Sequence, residues 1–185
     1  YPKTQKQNLY NVYNSMGANM WNIAKIDSAL YYFKKSETVL NTLEKTPRNI
    51  YKKALLQNNI AAIYSTQGNL NEALTAMKTT INSLNSFLKS DIPDNKRAAA
   101  TEFLYSAIEN YAGIYKSMGD YQKALELLLY ANKEKQRYFD AENPEIFKSK
   151  ILLGQINFEL KDYKKANFYL DNGIKQIEKT SGDNY

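Results

Sequence analysis

A short phrase returns four times along this chain. Its clearest copy is Gly119-Asp120-Tyr121-Gln122-Lys123-Ala124, and Lys161-Asp162-Tyr163-Lys164-Lys165-Ala166 repeats it almost letter for letter. Gly68-Asn69-Leu70-Asn71-Glu72-Ala73 is a weaker copy, and Ala24-Lys25-Ile26-Asp27-Ser28-Ala29 the weakest. A recurring turn followed at a fixed offset by a small residue restricts the chain to stacked helical hairpins. Such stacks bury a continuous core between neighbours and usually bind rather than catalyse.

The segments between the turns are amphipathic at the helical period. From Leu70 the apolar residues fall at Leu70, Ala73, Leu74, Met77, Ile81, Leu84 and Leu88, the three-and-four spacing of one helix face. Phe103, Ala107, Ile108, Tyr111, Ile114, Tyr115 and Met118 form a second stripe, and Tyr121, Ala124, Leu125, Leu128 and Ala131 a third. No segment of useful length alternates with period two, so no sheet is expected. Gly68 and Gly119 read as helix ends, because glycine accepts the left-handed conformation there. Asp120 and Asp162 stand where a carboxylate can cap the next helix. Thr46-Pro47 and Asn143-Pro144 read as a cap followed by proline in the first turn. Together these signals predict eight helices in pairs: 4–23 with 27–45, 48–67 with 70–90, 96–118 with 121–139, and 144–160 with 163–180.

Composition removes much of catalysis. Among 185 residues there is no cysteine and no histidine. Thiol nucleophiles, disulfides, Cys-type zinc sites and the usual neutral-pH general base are therefore excluded. Ser86 and Lys89 form a Ser-x-x-Lys, a spacing that chance supplies readily on a helix. With no phosphate-cradling loop and no metal-ligand cluster in the pattern, no cofactor is expected and the chain reads as non-enzymatic. No apolar run approaches the roughly 20 residues of a membrane span, and no targeting signature is visible. A cytoplasmic setting is slightly favoured over an exported one. The net charge is +6. The doublets Lys34-Lys35, Lys52-Lys53 and Lys164-Lys165 and the cluster Lys133, Lys135 and Arg137 read as solvated faces, since Asp and Glu are interspersed. A nucleic-acid surface is the less favoured reading.

The paired helices resemble tetratricopeptide (TPR) repeats. The third pair matches best, with Ile108, Tyr111-Ala112 and Tyr115 in its first helix and Gly119, Tyr121, Ala124, Leu128 and Ala131 completing it. The second offers Ile60-Ala61, Tyr64, Gly68, Ala73 and Met77; the fourth Leu153-Gly154, Tyr163, Ala166, Leu170 and Gly173; the first Tyr13, Met16-Gly17, Met20, Ala29, Phe33 and Ser36. The pattern departs at Asn157, where an aromatic is expected, and at Lys161 and Ala24, which replace the turn glycine. The intervals Ala29–Ala73, Ala73–Ala124 and Ala124–Ala166 all exceed the familiar period of about 34 residues. Asp140-Ala141-Glu142-Asn143-Pro144 followed by Leu153-Gly154 resembles the start of a kinesin-light-chain-type repeat, a style common in bacterial multi-repeat proteins.

The resemblance implies an all-α fold: an α-solenoid of four TPR-like hairpins over 1–185, forming a right-handed superhelix and a single array (repeats about 4–45, 48–90, 96–139 and 144–180). Tyr1-Pro2 and Ser181-Gly182-Asp183-Asn184-Tyr185 look like joins between repeats, which fits an excerpt of a longer protein. Bacterial relatives place such arrays before an effector such as a caspase-like protease, a histidine kinase or a transcription regulator.

The same resemblance points to a groove lined by the first helices. Asn58-Asn59-Ile60-Ala61 is similar to the Asn-Asn-Leu-Ala phrase with which peptide-binding members hold a peptide backbone. Glu109-Asn110-Tyr111-Ala112 and Asn14-Ser15-Met16-Gly17 each keep one asparagine. An amide offers both donor and acceptor, so it can pair with a peptide unit of any sequence. The candidate peptide-binding residues are Asn14, Trp21, Asn58, Asn59, Asn110, Lys116, Gln155 and Phe158. Asn11, Ser106 and Glu109 share the projected face. Trp21 and Phe158 are the apolar anchors. A clamp for a C-terminal carboxylate is not expected, because Ala18, Ser106 and Asn110 stand where basic or matching amide groups would be needed. The expected activity is a scaffold that binds a protein or peptide in this groove. The alternative is self-association through the C-terminal helix, whose apolar stripe is Leu170, Ile174 and Ile177.

Overall fold

The structure is a computed structural model that describes residues 3–182. The expected opening join at Tyr1-Pro2, and the side chains of the closing join from Ser181 to Tyr185, lie outside the described residues. Among the described residues there are eight helices and no strand: α1 (Lys3–Asn22), α2 (Ile26–Leu40), α3 (Pro47–Thr66), α4 (Leu70–Leu88), α5 (Asp94–Ser117), α6 (Tyr121–Tyr138), α7 (Pro144–Glu159) and α8 (Tyr163–Gly182). The chain divides into two compact units, Tyr1–Thr101 and Glu102–Tyr185, with the division inside α5.

All four hairpin turns are built alike. Ala24, Gly68, Gly119 and Lys161 have positive φ, at 57°, 76°, 82° and 63°. The N–H groups of Lys25, Asn69, Asp120 and Asp162 then reach back to the carbonyls of Met20, Tyr64, Tyr115 and Asn157, at 2.9, 2.9, 3.0 and 2.9 Å. The left-handed residue lets the chain satisfy helix-end carbonyls while reversing direction. The positions where glycine was missing thus adopt the glycine conformation regardless. Asp120 and Asp162 cap the following helices by accepting from Lys123 N at 3.0 Å and Lys165 N at 3.1 Å.

One boundary differs from expectation by more than two residues. Helix α2 ends at Leu40, not near 45. Pro47 drives Thr46 into an extended conformation (ψ 157°), where its side chain caps α3 by accepting from Asn49 N at 3.3 Å. The stretch from Asn41 to Lys45 is consumed in reaching that start.

Small residues set the approach of helices. Ala29, Ala73, Ala124 and Ala166 are fully buried. A Cβ on Gly17 would lie 2.6 Å from the Phe33 ring, and one on Gly154 would lie 2.5 Å from Leu170. In the second unit, Ala112, Ala124, Leu128, Leu153 and Ile156 form the core, with Tyr115, Tyr121 and Tyr169 packed against it. Asn157, at the aromatic position, is buried and donates to Leu153 O at 2.7 Å, whereas the adjacent Phe158 points outward.

Candidate functional site

In the first unit one small cavity brings together part of the projected groove face. On α3, Asn59 and Ala62 meet Trp21, Ala18 and Asn22 of α1 and Phe33 of α2 around a small cavity of about 150 Å³. Trp21 and Asn59 are both half-buried there. Asn58, next in sequence, does not line this cavity. Its Oδ1 is withdrawn from solvent and has no hydrogen-bond partner among the described residues. Asn14 is half-buried, and the side chain of its neighbour Asn11 accepts from Lys52 Nζ at 3.0 Å.

In the second unit, Asn110 and Gln155 are exposed. Lys116 of α5 lies 3.9 Å from Glu159 of α7, each side chain a little over a third exposed. Phe158 is 58% exposed and meets Tyr163 edge-to-face with ring centroids 5.5 Å apart. It therefore stands at the corner of the last hairpin beside a second aromatic, rather than as an isolated anchor.

Two sequence readings are corrected. Glu109, projected onto the groove face, is buried, and Lys135, read as part of a solvated basic cluster, is fully buried. Lys135 Nζ lies 2.8 Å from Glu109 Oε2 and 2.8 Å from Glu145 Oε2. Ser149 donates to the other oxygen of Glu109, and Ser106 donates to Glu145 Oε2 at 3.2 Å. This polar set joins α5, α6 and α7 inside the second unit. Burial works to raise the Glu145 carboxyl, but the hydrogen bond and charge of Lys135, with Lys148 and Ser106, outweigh it and hold the carboxyl below its ordinary value. The signal in the sequence was positional. Lys135 lies as far beyond Ala124 as Leu40 lies beyond Ala29 and Leu84 beyond Ala73, so it continues an apolar stripe.

Several basic residues are already engaged. Lys34 pairs with Glu37 at 3.0 Å and Lys165 with Asp162 at 2.8 Å, while Lys52 sits 4.6 Å from the centre of the Tyr10 ring. Among the described residues no cluster of three metal-ligating side chains occurs, and no helix is long and apolar enough to cross a membrane.

No protein-family model matches the chain, and no curated protein matches it in sequence. Solved structures do. BtubC (BKLC) from P. vanneervenii superposes with a TM-score of 0.77 at 17% identity, covering 96% of this chain and 66% of that one. The nearly identical TPR-like repeats of a putative kinesin light chain from Podosopora anserina give 0.68 at 18%, covering 92% and 76%. The apo form of RapI gives 0.73 at 20%, covering 94% and 44%. The chain thus spans just under two thirds of BtubC and less than half of RapI. These similarities, with the four matching hairpins, establish a TPR-like helical-repeat fold.

Proposed function

We propose that this chain is a non-enzymatic interaction scaffold, whose first-helix faces capture an extended peptide or protein segment, and that the two units act as parts of one array. The observation that carries the reading is the cavity in which Asn59 meets Trp21, Asn22 and Phe33. It sets an amide able to pair with a peptide backbone beside an aromatic suited to anchor a side chain. Asn110, Gln155 and the Lys116–Glu159 pair would extend the polar contacts in the second unit, and Phe158 with Tyr163 a second aromatic contact. Helical repeats fit this use, because their stacked surfaces are extended and vary without disturbing the core.

The test is a terminally blocked peptide library screened with the chain and with the triple variant Asn58→Ala, Asn59→Ala, Asn110→Ala. Loss of capture with unchanged helical circular dichroism supports the groove; unchanged capture removes it. Self-association is the second reading, favoured by α8, where Phe168 is 63% and Ile174 47% exposed. Light scattering over a concentration series decides it, since a strict monomer throughout leaves no self-association.

A further inference from the structure

The cavity between α1 and α3 has a lining that restricts what can enter it. Six residues form it: Ala18, Trp21 and Asn22 of α1, Phe33 of α2, and Asn59 and Ala62 of α3. Phe33 is 2% exposed and makes the floor. Ala18, Trp21 and Asn59 are half-buried along the sides, and Asn22 and Ala62 are exposed at the mouth. The space opens because two alanines border it. They hold the same position of their hairpins, next after Gly17 and Ala61, where the fourth hairpin carries Gln155. Trp21 then closes one side, at a position where the second hairpin has Ser65.

None of the six is ionisable. A charged group brought into the cavity would lose water without meeting an opposite charge. The cations of α3, Arg48, Lys52 and Lys53, stand well before Asn59 in the helix, about 9 Å or more along its axis. Two aromatic rings can hold a cation unaided, but neither α1 nor α3 carries an aspartate or glutamate to accompany it. The volume, about 150 Å³, is one at which an apolar protein cavity takes up benzene. A neutral polar side chain of that size would strand its polar end against the Phe33 ring. What remains is an uncharged apolar group of a few carbons. The side-chain amides of Asn22 and Asn59 make no hydrogen bond among the described residues, and an amide can pair with a peptide unit of any sequence.

We propose, building on the groove reading, that this cavity is the groove's specificity pocket. It takes one uncharged apolar side chain of the partner peptide, in the size range of leucine, methionine and phenylalanine. The amides of Asn22 and Asn59 pair with the peptide main chain beside that residue. The partner is thereby defined by a single apolar anchor, and the sequence around the anchor is free to vary, because amide pairing reads only the backbone. Phe33 and Trp21 supply the apolar contact, and Ala18 and Ala62 supply the room.

The probe is a terminally blocked peptide library of random sequence, sorted by capture on the wild type and on Ala62→Leu, which fills the cavity from its mouth. Ala62 is exposed, so Ala62→Leu should keep the wild-type thermal transition, and that measurement checks it. Captured peptides should share one position at which Leu, Met and Phe are enriched about tenfold or more over Ala, Asn, Gln, Asp and Lys, the factor that burial of such a side chain supplies. The enrichment should vanish in Ala62→Leu. Trp21 is the single tryptophan, so its emission reports the cavity directly. A captured peptide without tryptophan should shift that emission to the blue, and its twin with Asn in place of the anchor Leu should not. Capture without the apolar position, or an apolar position that Ala62→Leu leaves intact, overturns the pocket and leaves the groove standing. No capture at all removes the groove and the pocket with it. Enrichment of Asp or Lys at the shared position overturns the pocket by replacing it with a charge-reading site.

Discussion

Lys135 Nζ donates to Glu109 Oε2 across 2.8 Å, with the lysine side chain fully buried and the glutamate side chain 2% exposed. Glu109 is on α5 and Lys135 on α6, and the same amine reaches Glu145 Oε2 and the Glu145 carbonyl at the start of α7. One cation therefore ties three helices where Leu40 and Leu84 serve the equivalent hairpins. Removing one partner of such a set leaves an uncompensated charge inside the protein. Lys135→Met should destabilise the second unit by about 3–5 kcal/mol. Combining Lys135→Leu with Glu109→Leu should recover most of that loss, because buried ion pairs are often replaceable by apolar residues of similar volume. Urea titration followed by far-ultraviolet circular dichroism checks both. Fluorescence of Trp21, the single tryptophan, reports the first unit in the same experiment.

The pH dependence of stability should show two limbs. On the acid side Glu145 is held below its ordinary value of 4.5. A depressed carboxyl contributes stability that is fully present above about pH 4.5 and is lost as pH falls through the lower folded value. On the alkaline side, burial raises the Tyr10 hydroxyl from 10.0 to about 12. Tyr111 is also raised to about 12, by burial and then by its hydrogen bond to Tyr115. These contributions are complete below pH 10 and disappear as pH rises toward about 12, because the unfolded chain releases the protons first. Denaturant midpoints measured across both windows test the signs. Tyrosinate absorbance should show a late-titrating fraction that Tyr10→Phe reduces.

The repeat was legible because turns and small residues announce themselves locally. Gly119-Asp120 fixes a corner by backbone conformation and capping, and Gly17 or Gly154 marks a close approach, all within a few residues of sequence. Lys135 and Glu109 were not legible, because charge on a helix ordinarily means solvent and their burial depends on partners 26 residues apart. Asn59 and Trp21 are brought together at one cavity. Asn58 is not, since successive helix residues diverge by about 100°.

The turns offer a stability test that needs no partner. Ala24 and Lys161 hold φ of 57° and 63°, a region in which a Cβ crowds the backbone. At Gly68 and Gly119 the same corner carries no such strain. Ala24→Gly and Lys161→Gly should each stabilise the chain by about 1 kcal/mol, and Gly119→Ala should destabilise it by a similar amount.

Gly113 and Gly17 separate backbone from packing effects at a glycine. Both lie inside first helices, and a helix interior favours alanine over glycine by about 0.5–1 kcal/mol. A Cβ at Gly113 meets nothing within 4 Å, so Gly113→Ala should raise stability by that helix-propensity gain alone. A Cβ at Gly17 falls 2.6 Å from the Phe33 ring, on a helix whose partner residue is only 2% exposed and has little room to retreat. Gly17→Ala should therefore lose about 1–3 kcal/mol through overpacking, outweighing the propensity gain. Adding Phe33→Leu to Gly17→Ala should return part of the loss by vacating the ring's place. Paired urea titrations of these variants decide it: equal responses at Gly17 and Gly113 would show that backbone propensity, rather than the approach of α1 to α2, governs the small-residue positions.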